Sequence, residues 1–154
     1  NLFDGKVKEG GKFIISKAEL DVIPAFIKED SVIPFNLSSD FKLFSHIGNE
    51  VEIQNLCLII NLTELAKFTF NEGSGFKGSI RAVKKGKITR IDIKDIAYDY
   101  SLRVYSNGIP VKVFADNVVM QNKKGFKKGS WSICENVILI IPDEITKNIK
   151  IEYK

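Results

Sequence analysis

Turn-forming residues recur along this chain, and no segment between them has the pattern of a long amphipathic helix. Breaks occur at Gly10-Gly11, Pro24, Pro34, Gly86 and Asn107-Gly108, among other places. The runs between the breaks have strand length and are rich in Ile, Val, Phe and Tyr, which favour β-structure. We therefore predict an all-β fold, either an antiparallel sandwich or a partly open barrel, with at most one or two short helices.

The length and composition predict a single β domain over residues 1–154. A chain of this length can bury a core without disulfide bonds. Its 44% hydrophobic and 27% charged residues are ordinary values for a globular protein. The longest apolar runs, residues 56–60 and 137–142, are too short for a transmembrane helix. The compartment stays undetermined from the sequence, with a secreted or periplasmic location preferred.

A change of side-chain phase near residue 95 predicts a strand that crosses from one sheet to another. Ile91 and Ile93 share one face, whereas from Ile96 to Val104 the apolar side chains fall on even-numbered positions. Such a shift changes the register by one residue. Because residues 95–99 contain no Gly, Pro or Asn, a bulge or bend explains the shift better than a hairpin. We therefore expect one bent strand over residues 88–105.

The remaining strand predictions are more local. Residues 109–121, 130–141 and 147–153 each have the composition of a strand. Residues 62–68, with the sequence LTELAKF, are the best candidate for a short helix, because Asn61 or Thr63 could cap it.

Residues that usually perform catalysis or bind metals are scarce. His46 is the single histidine, so a zinc site built from several histidines is excluded. Cys57 and Cys134 lie in apolar runs, which favours two buried thiols over a disulfide. Asp92 and Asp99 each have basic neighbours on the same face, which indicates surface ion pairs rather than a glycosidase carboxylate pair. We predict no catalytic residue, no metal and no cofactor, and hence a non-enzymatic domain.

Positive charge is concentrated in two short segments. The net charge is +4, but residues 81–90 and 123–128 together contribute nine positive charges, so the rest of the chain carries −5. One bent strand over residues 88–105 would bring both segments to the same end of the domain, whereas a hairpin near Asp95 would separate them. The candidate site for an anionic partner comprises Arg81, Lys84, Lys85, Lys87, Arg90, Lys123, Lys124, Phe126, Lys127 and Lys128.

The sequence favours a non-catalytic binding domain, and its preferred partner is another protein in a larger assembly or secreted system. A first alternative is a carrier of a hydrophobic ligand such as a lipid, because eleven Phe and four Tyr could line a β groove. A second alternative is binding of an anionic polymer or nucleic acid by the basic hairpin tips.

Overall fold

The computed structural model describes residues 8–16, 24–37, 55–71, 77–125, 127–134 and 136–154. Within these ranges the chain forms two six-stranded sheets and no helix. The predicted all-β sandwich is therefore confirmed, and the sheets do not close into a barrel. No helix in these ranges is long and apolar enough to cross a bilayer.

Twelve strands follow one another along the described chain. In order they are β1 (Ser31–Leu37), β2 (Asn55–Leu62), β3 (Leu65–Asn71), β4 (Lys77–Lys85), β5 (Ile88–Lys94), β6 (Tyr100–Ser106), β7 (Pro110–Ala115), β8 (Val118–Val119), β9 (Gln121–Asn122), β10 (Ser130–Cys134), β11 (Val137–Ile141) and β12 (Asn148–Tyr153).

Each sheet mixes strands from both halves of the chain. Sheet A has the strand order β1-β2-β6-β11-β10-β9, and sheet B has the order β3-β4-β5-β12-β7-β8. The pairs β2–β6 and β9–β10 are parallel, and the other pairs are antiparallel. The sheets are therefore held together by contacts between distant parts of the sequence.

Strand alternation places the main core between the two sheets. In β2 the even-numbered side chains belong to this core, with Leu58 and Ile60 fully buried. Ile91 and Ile151 of sheet B belong to the same core and are also fully buried. Burial of such side chains stabilises each by about 1.5–3 kcal/mol relative to an exposed position.

The strand β2 is also buried on its opposite side. Cys57 and Ile59 point away from sheet B, yet both have no exposed surface. They form a second apolar cluster with Leu37, against which Ala25 and Ile27 pack. A strand covered on both faces needs a continuous apolar sequence rather than an alternating one, which explains the run Leu-Cys-Leu-Ile-Ile in β2.

The chain crosses between the sheets where the phase change predicted it. Strand β5 ends at Lys94 in sheet B, and β6 begins at Tyr100 in sheet A. The crossing is a link outside both strands, in which Asp95 has a φ of 57°. Aspartate tolerates this left-handed conformation better than most residues. Strand β6 then runs in the opposite direction in sheet A, so residues 88–105 form two strands. The prediction of one bent strand is therefore wrong, because the chain reverses in the link that contains Asp95.

Three local predictions need correction. Residues 62–68 do not form a helix, because Ala66, Phe68 and Phe70 alternate toward the core in β3. The burial of these side chains in the core outweighs the local preference of this segment for a helix. Residues 130–141 form the β10–β11 hairpin instead of one strand. The expected strand over 109–121 turns at Asp116 and Asn117, both of which have positive φ.

We expect Tyr100→Phe to lower the free energy of unfolding by about 1–2 kcal/mol, because it removes one buried hydrogen bond. The Tyr100 hydroxyl donates to the Thr146 carbonyl oxygen at 2.6 Å, and burial raises the pKa of this phenol. Urea unfolding followed by the fluorescence of the single tryptophan, Trp131, measures the change. Tyr153→Phe is the control, since its hydroxyl contact with Thr89 is longer, at 3.3 Å. Equal stability of both variants and the parent protein would contradict the prediction.

Candidate functional site

The two basic segments lie at opposite ends of the sandwich. At one end Lys84 donates to the Ser106 hydroxyl at 3.0 Å and to the Asn107 carbonyl. At the other end Lys128 forms a 2.6 Å ion pair with Asp99. Strand β6 separates the two places by roughly 20 Å, at about 3.3 Å per residue. The structure therefore does not join the predicted residues into one patch.

The members of the first basic segment point in different directions. Arg81, Lys85 and Arg90 project from the solvent-facing side of sheet B, which we call the outer face of sheet B. Lys84 has the opposite orientation on β4 and reaches across to sheet A, 5.0 Å above the ring of Tyr153. Lys87 lies in the turn between β4 and β5.

The second basic segment follows the short strand β9. Lys123, Lys124, Lys127 and Lys128 are all exposed. The neighbouring Asp99 raises the pKa of Lys128 through its hydrogen bond and its charge. Phe126, predicted to add an aromatic surface, lies outside the described residues.

The outer face of sheet B is an ordered, open surface that spans all six strands. Its central row consists of residues that are direct neighbours in the strand register: Leu65, Val83, Arg90, Lys150, Phe114 and Val119. One flanking row consists of Lys67, Arg81, Asp92 and Asn148, and the other of Lys85, Ile88, Glu152 and Lys112. Neighbouring members of a row lie about 4.8 Å apart across the sheet.

The net positive charge of this face is larger than that of the whole chain. Its basic residues exceed its acidic residues by six, whereas the net charge of the protein is +4, so everything outside the face has a net charge of −2. The basic members are Lys67, Lys77, Arg81, Lys85, Arg90, Lys94, Lys112 and Lys150, and the acidic members are Asp92 and Glu152.

Only some of the basic residues on this face were predicted from the sequence. Arg81, Lys85 and Arg90 belonged to the predicted site, but Lys67, Lys112 and Lys150 did not. Each of the latter three is an isolated lysine in its own strand, so no local cluster marks it. The signal that could have found them is strand parity, because all three occupy positions that alternate with apolar core positions.

An aromatic ring lies within this charged surface. The Lys150 ammonium lies 3.9 Å from the centroid of the half-buried Phe114 ring and 3.0 Å from the Glu152 carboxylate. Arg81 and Asp92 approach each other to 3.9 Å. The face thus combines an apolar ring with hydrogen-bond donors and acceptors in fixed register. Across the described part of the chain, no three His, Cys, Asp or Glu side chains come together as a metal site.

The two cysteines occupy different environments and do not pair. Cys57 is buried in β2, and burial raises its pKa against the opposing influence of Ser101 and Arg103. Cys134 is exposed on β10. The strand order puts three inter-strand spacings between them, about 14 Å, which a disulfide cannot bridge. The expectation of two buried thiols holds for Cys57 alone.

Several solved structures share this fold. The cycloalternan-forming enzyme from Listeria monocytogenes, solved in complex with a pentasaccharide substrate, is similar over 94% of this chain, with a TM-score of 0.75 and 18% sequence identity. A GH31 dextranase from Flavobacterium johnsoniae, solved with isomaltotriose, is similar over 89% of this chain, with a TM-score of 0.62 and 23% identity. The chain spans only 15% and 21% of those two proteins. No protein-family model matches the sequence, and a comparison with curated proteins finds no relative.

These comparisons overturn the predicted partners. The prediction of a protein-contact module is wrong, because the two similar structures described above are carbohydrate-active enzymes solved with oligosaccharides. The lipid-carrier alternative is also wrong, and among the aromatic residues on which it rested, Phe70, Tyr100 and Tyr153 are packed into the core. The nucleic-acid or anionic-polymer alternative at the hairpin tips is wrong as well, and those tips do not meet. The sequence could not separate these alternatives, because one sandwich scaffold serves many partners.

Proposed function

We propose that this chain is a non-catalytic carbohydrate-binding domain of a larger carbohydrate-active enzyme. The observation that carries the proposal is the fold similarity over 94% of this chain to a segment making up 15% of an enzyme that acts on oligosaccharides. A segment of that size corresponds to one accessory domain beside a catalytic one.

The outer face of sheet B is the site that we assign to this function. A sugar ring has an apolar side that packs on an aromatic ring and hydroxyl groups that exchange hydrogen bonds with polar side chains. Phe114 offers the ring, over which the Lys150 ammonium lies in the absence of a ligand. Arg90, Asp92, Asn148 and Glu152 offer donors and acceptors on the neighbouring strands. Because these residues lie on regular strands, their relative positions are fixed before the ligand binds, which reduces the entropic cost of binding.

We expect Phe114→Ala to weaken oligosaccharide binding about tenfold, which corresponds to about 1.4 kcal/mol. Isothermal titration calorimetry with isomaltotriose and with acidic trisaccharides measures the dissociation constants. Phe26→Ala is the control, because it removes another solvent-accessible phenylalanine ring, 43% exposed, from the segment that packs on sheet A. Equal weakening by both variants would remove the outer face of sheet B as the site, and no binding of any saccharide would overturn the proposed function.

A further inference from the structure

We infer that the outer face of sheet B binds an acidic oligosaccharide, one whose sugar rings carry carboxylate groups, in preference to a neutral glucan. The inference rests on the proposed function and specifies its ligand. It differs from the prediction made from the sequence in both location and partner, since the strand face replaces the hairpin tips and a short acidic sugar chain replaces a general anionic polymer.

The first argument is the arrangement of like charges across neighbouring strands. Lys67 is paired directly with Arg81, and Arg90 is paired directly with Lys150. Like charges in directly opposite positions destabilise a sheet. Two such pairs on one face are therefore unfavourable for folding alone, and an anion bound between the side chains would relieve both.

The second argument is that the acidic side chains of the face neutralise only part of this charge. Asp92 approaches Arg81, and Glu152 contacts Lys150. Among the described residues, neither Lys67 nor Arg90 has an acidic partner within 4.0 Å. Each cationic pair thus keeps one member available for a ligand, and the guanidinium of Arg90 can bind a carboxylate through two parallel hydrogen bonds.

The third argument concerns the position of the aromatic ring. Phe114 is the register neighbour of Lys150, which is the register neighbour of Arg90. The ring and the two cations therefore lie in one row across three adjacent strands, spaced by about 4.8 Å. Because the Lys150 ammonium lies over the Phe114 ring, a sugar ring packed there would displace it. A carboxylate on that sugar, or on the next one, could then bind the displaced ammonium and Arg90. A simple inorganic anion would use the cations but not the ring.

The test compares an acidic trisaccharide with its neutral ester, which lacks the charge, and with a neutral glucan. Calorimetric titrations at low and high salt would use trigalacturonic acid, its neutral methyl ester and isomaltotriose. The face variant is Lys67→Gln/Arg90→Gln. The matched control is Lys123→Gln/Lys124→Gln, which removes the same charge from exposed positions at the end of the sandwich near β9. Circular dichroism confirms that both variants fold.

We expect trigalacturonic acid to bind at least tenfold more tightly than its methyl ester. The face variant should lose at least tenfold in affinity for the acid, and the control variant less than twofold. Equal affinity for acid and ester would overturn the acidic specificity and leave the proposed function standing. Equal losses in the two variants would also overturn it, because they would reveal a general effect of net charge. If none of the three saccharides binds, both the inference and the proposed function fail.

Discussion

We expect Leu58→Ala to lower the free energy of unfolding by about 3–4 kcal/mol, the largest stability effect predicted for this domain. Leu58 has no exposed surface and lies in the middle of β2, next to Pro34 in β1 and Leu102 in β6. Truncation of this side chain removes the favourable free energy of its transfer from water to the core. It also removes the van der Waals contacts that the deleted atoms made with their neighbours. Neighbours on both sides belong to regular strands, so the cavity cannot collapse easily.

The matched control is Leu65→Ala, which deletes the same atoms from a position that is 40% exposed on the outer face of sheet B. This variant should lose less than about 1 kcal/mol. Urea unfolding of both variants, followed by the fluorescence of Trp131, gives the two free energies. If the two losses agree within experimental error, the assignment of Leu58 to the core is incorrect.

We expect Cys134 to react with a thiol reagent roughly 1,000-fold faster than Cys57 in the folded protein. Cys134 is exposed, whereas Cys57 is fully buried and becomes accessible only when the surrounding sheet opens. For a domain with about 5 kcal/mol of stability, fewer than roughly one molecule in a thousand is open at any time. Burial also raises the pKa of Cys57, so the reactive thiolate is rarer still in the folded state.

Single-cysteine variants separate the two reactions. Cys57→Ala leaves Cys134 as the only thiol, and Cys134→Ala leaves Cys57. In concentrated guanidinium chloride both variants should react at similar rates, because both thiols are then exposed. Similar rates without denaturant would show that the outer side of β2 is open, in conflict with the second apolar cluster.

The sequence predicted the fold class through local signals that the structure preserves. Frequent turn residues and strand-length apolar runs indicated a sandwich, and strand β12, Asn148–Tyr153, coincides with the strand predicted over residues 147–153. The phase change after residue 95 correctly located the passage between sheets. Such signals report which side of a strand is buried, and this information is contained in each segment separately.

Chain direction after the crossing could not be obtained in the same way. A switch of the apolar side chains from odd to even positions can be caused by a bulge, a bend or a reversal of the chain. The chain reverses here at an aspartate, Asp95, and not at a glycine or proline that would mark a turn in the sequence. The predicted site depended on this direction, because one direction joins the two basic segments and the other separates them. Lys67 becomes a neighbour of Arg81, and Lys150 a neighbour of Arg90, only through the pairing of separate strands. Lys112 joins the same face through its pairing with Glu152.

The parallel pairing of β2 with β6 has a consequence for the kinetics of folding. It joins residues as distant in sequence as Leu56 and Tyr100, whereas β3, β4 and β5 form consecutive hairpins with short connections. Long loops must close before distant contacts stabilise the chain, so such topologies fold slowly. The hairpins of sheet B are expected to form early, and the closing of sheet A around β2 to limit the rate. Until then the apolar run of β2 is exposed, and newly made chains are most prone to aggregate during that interval.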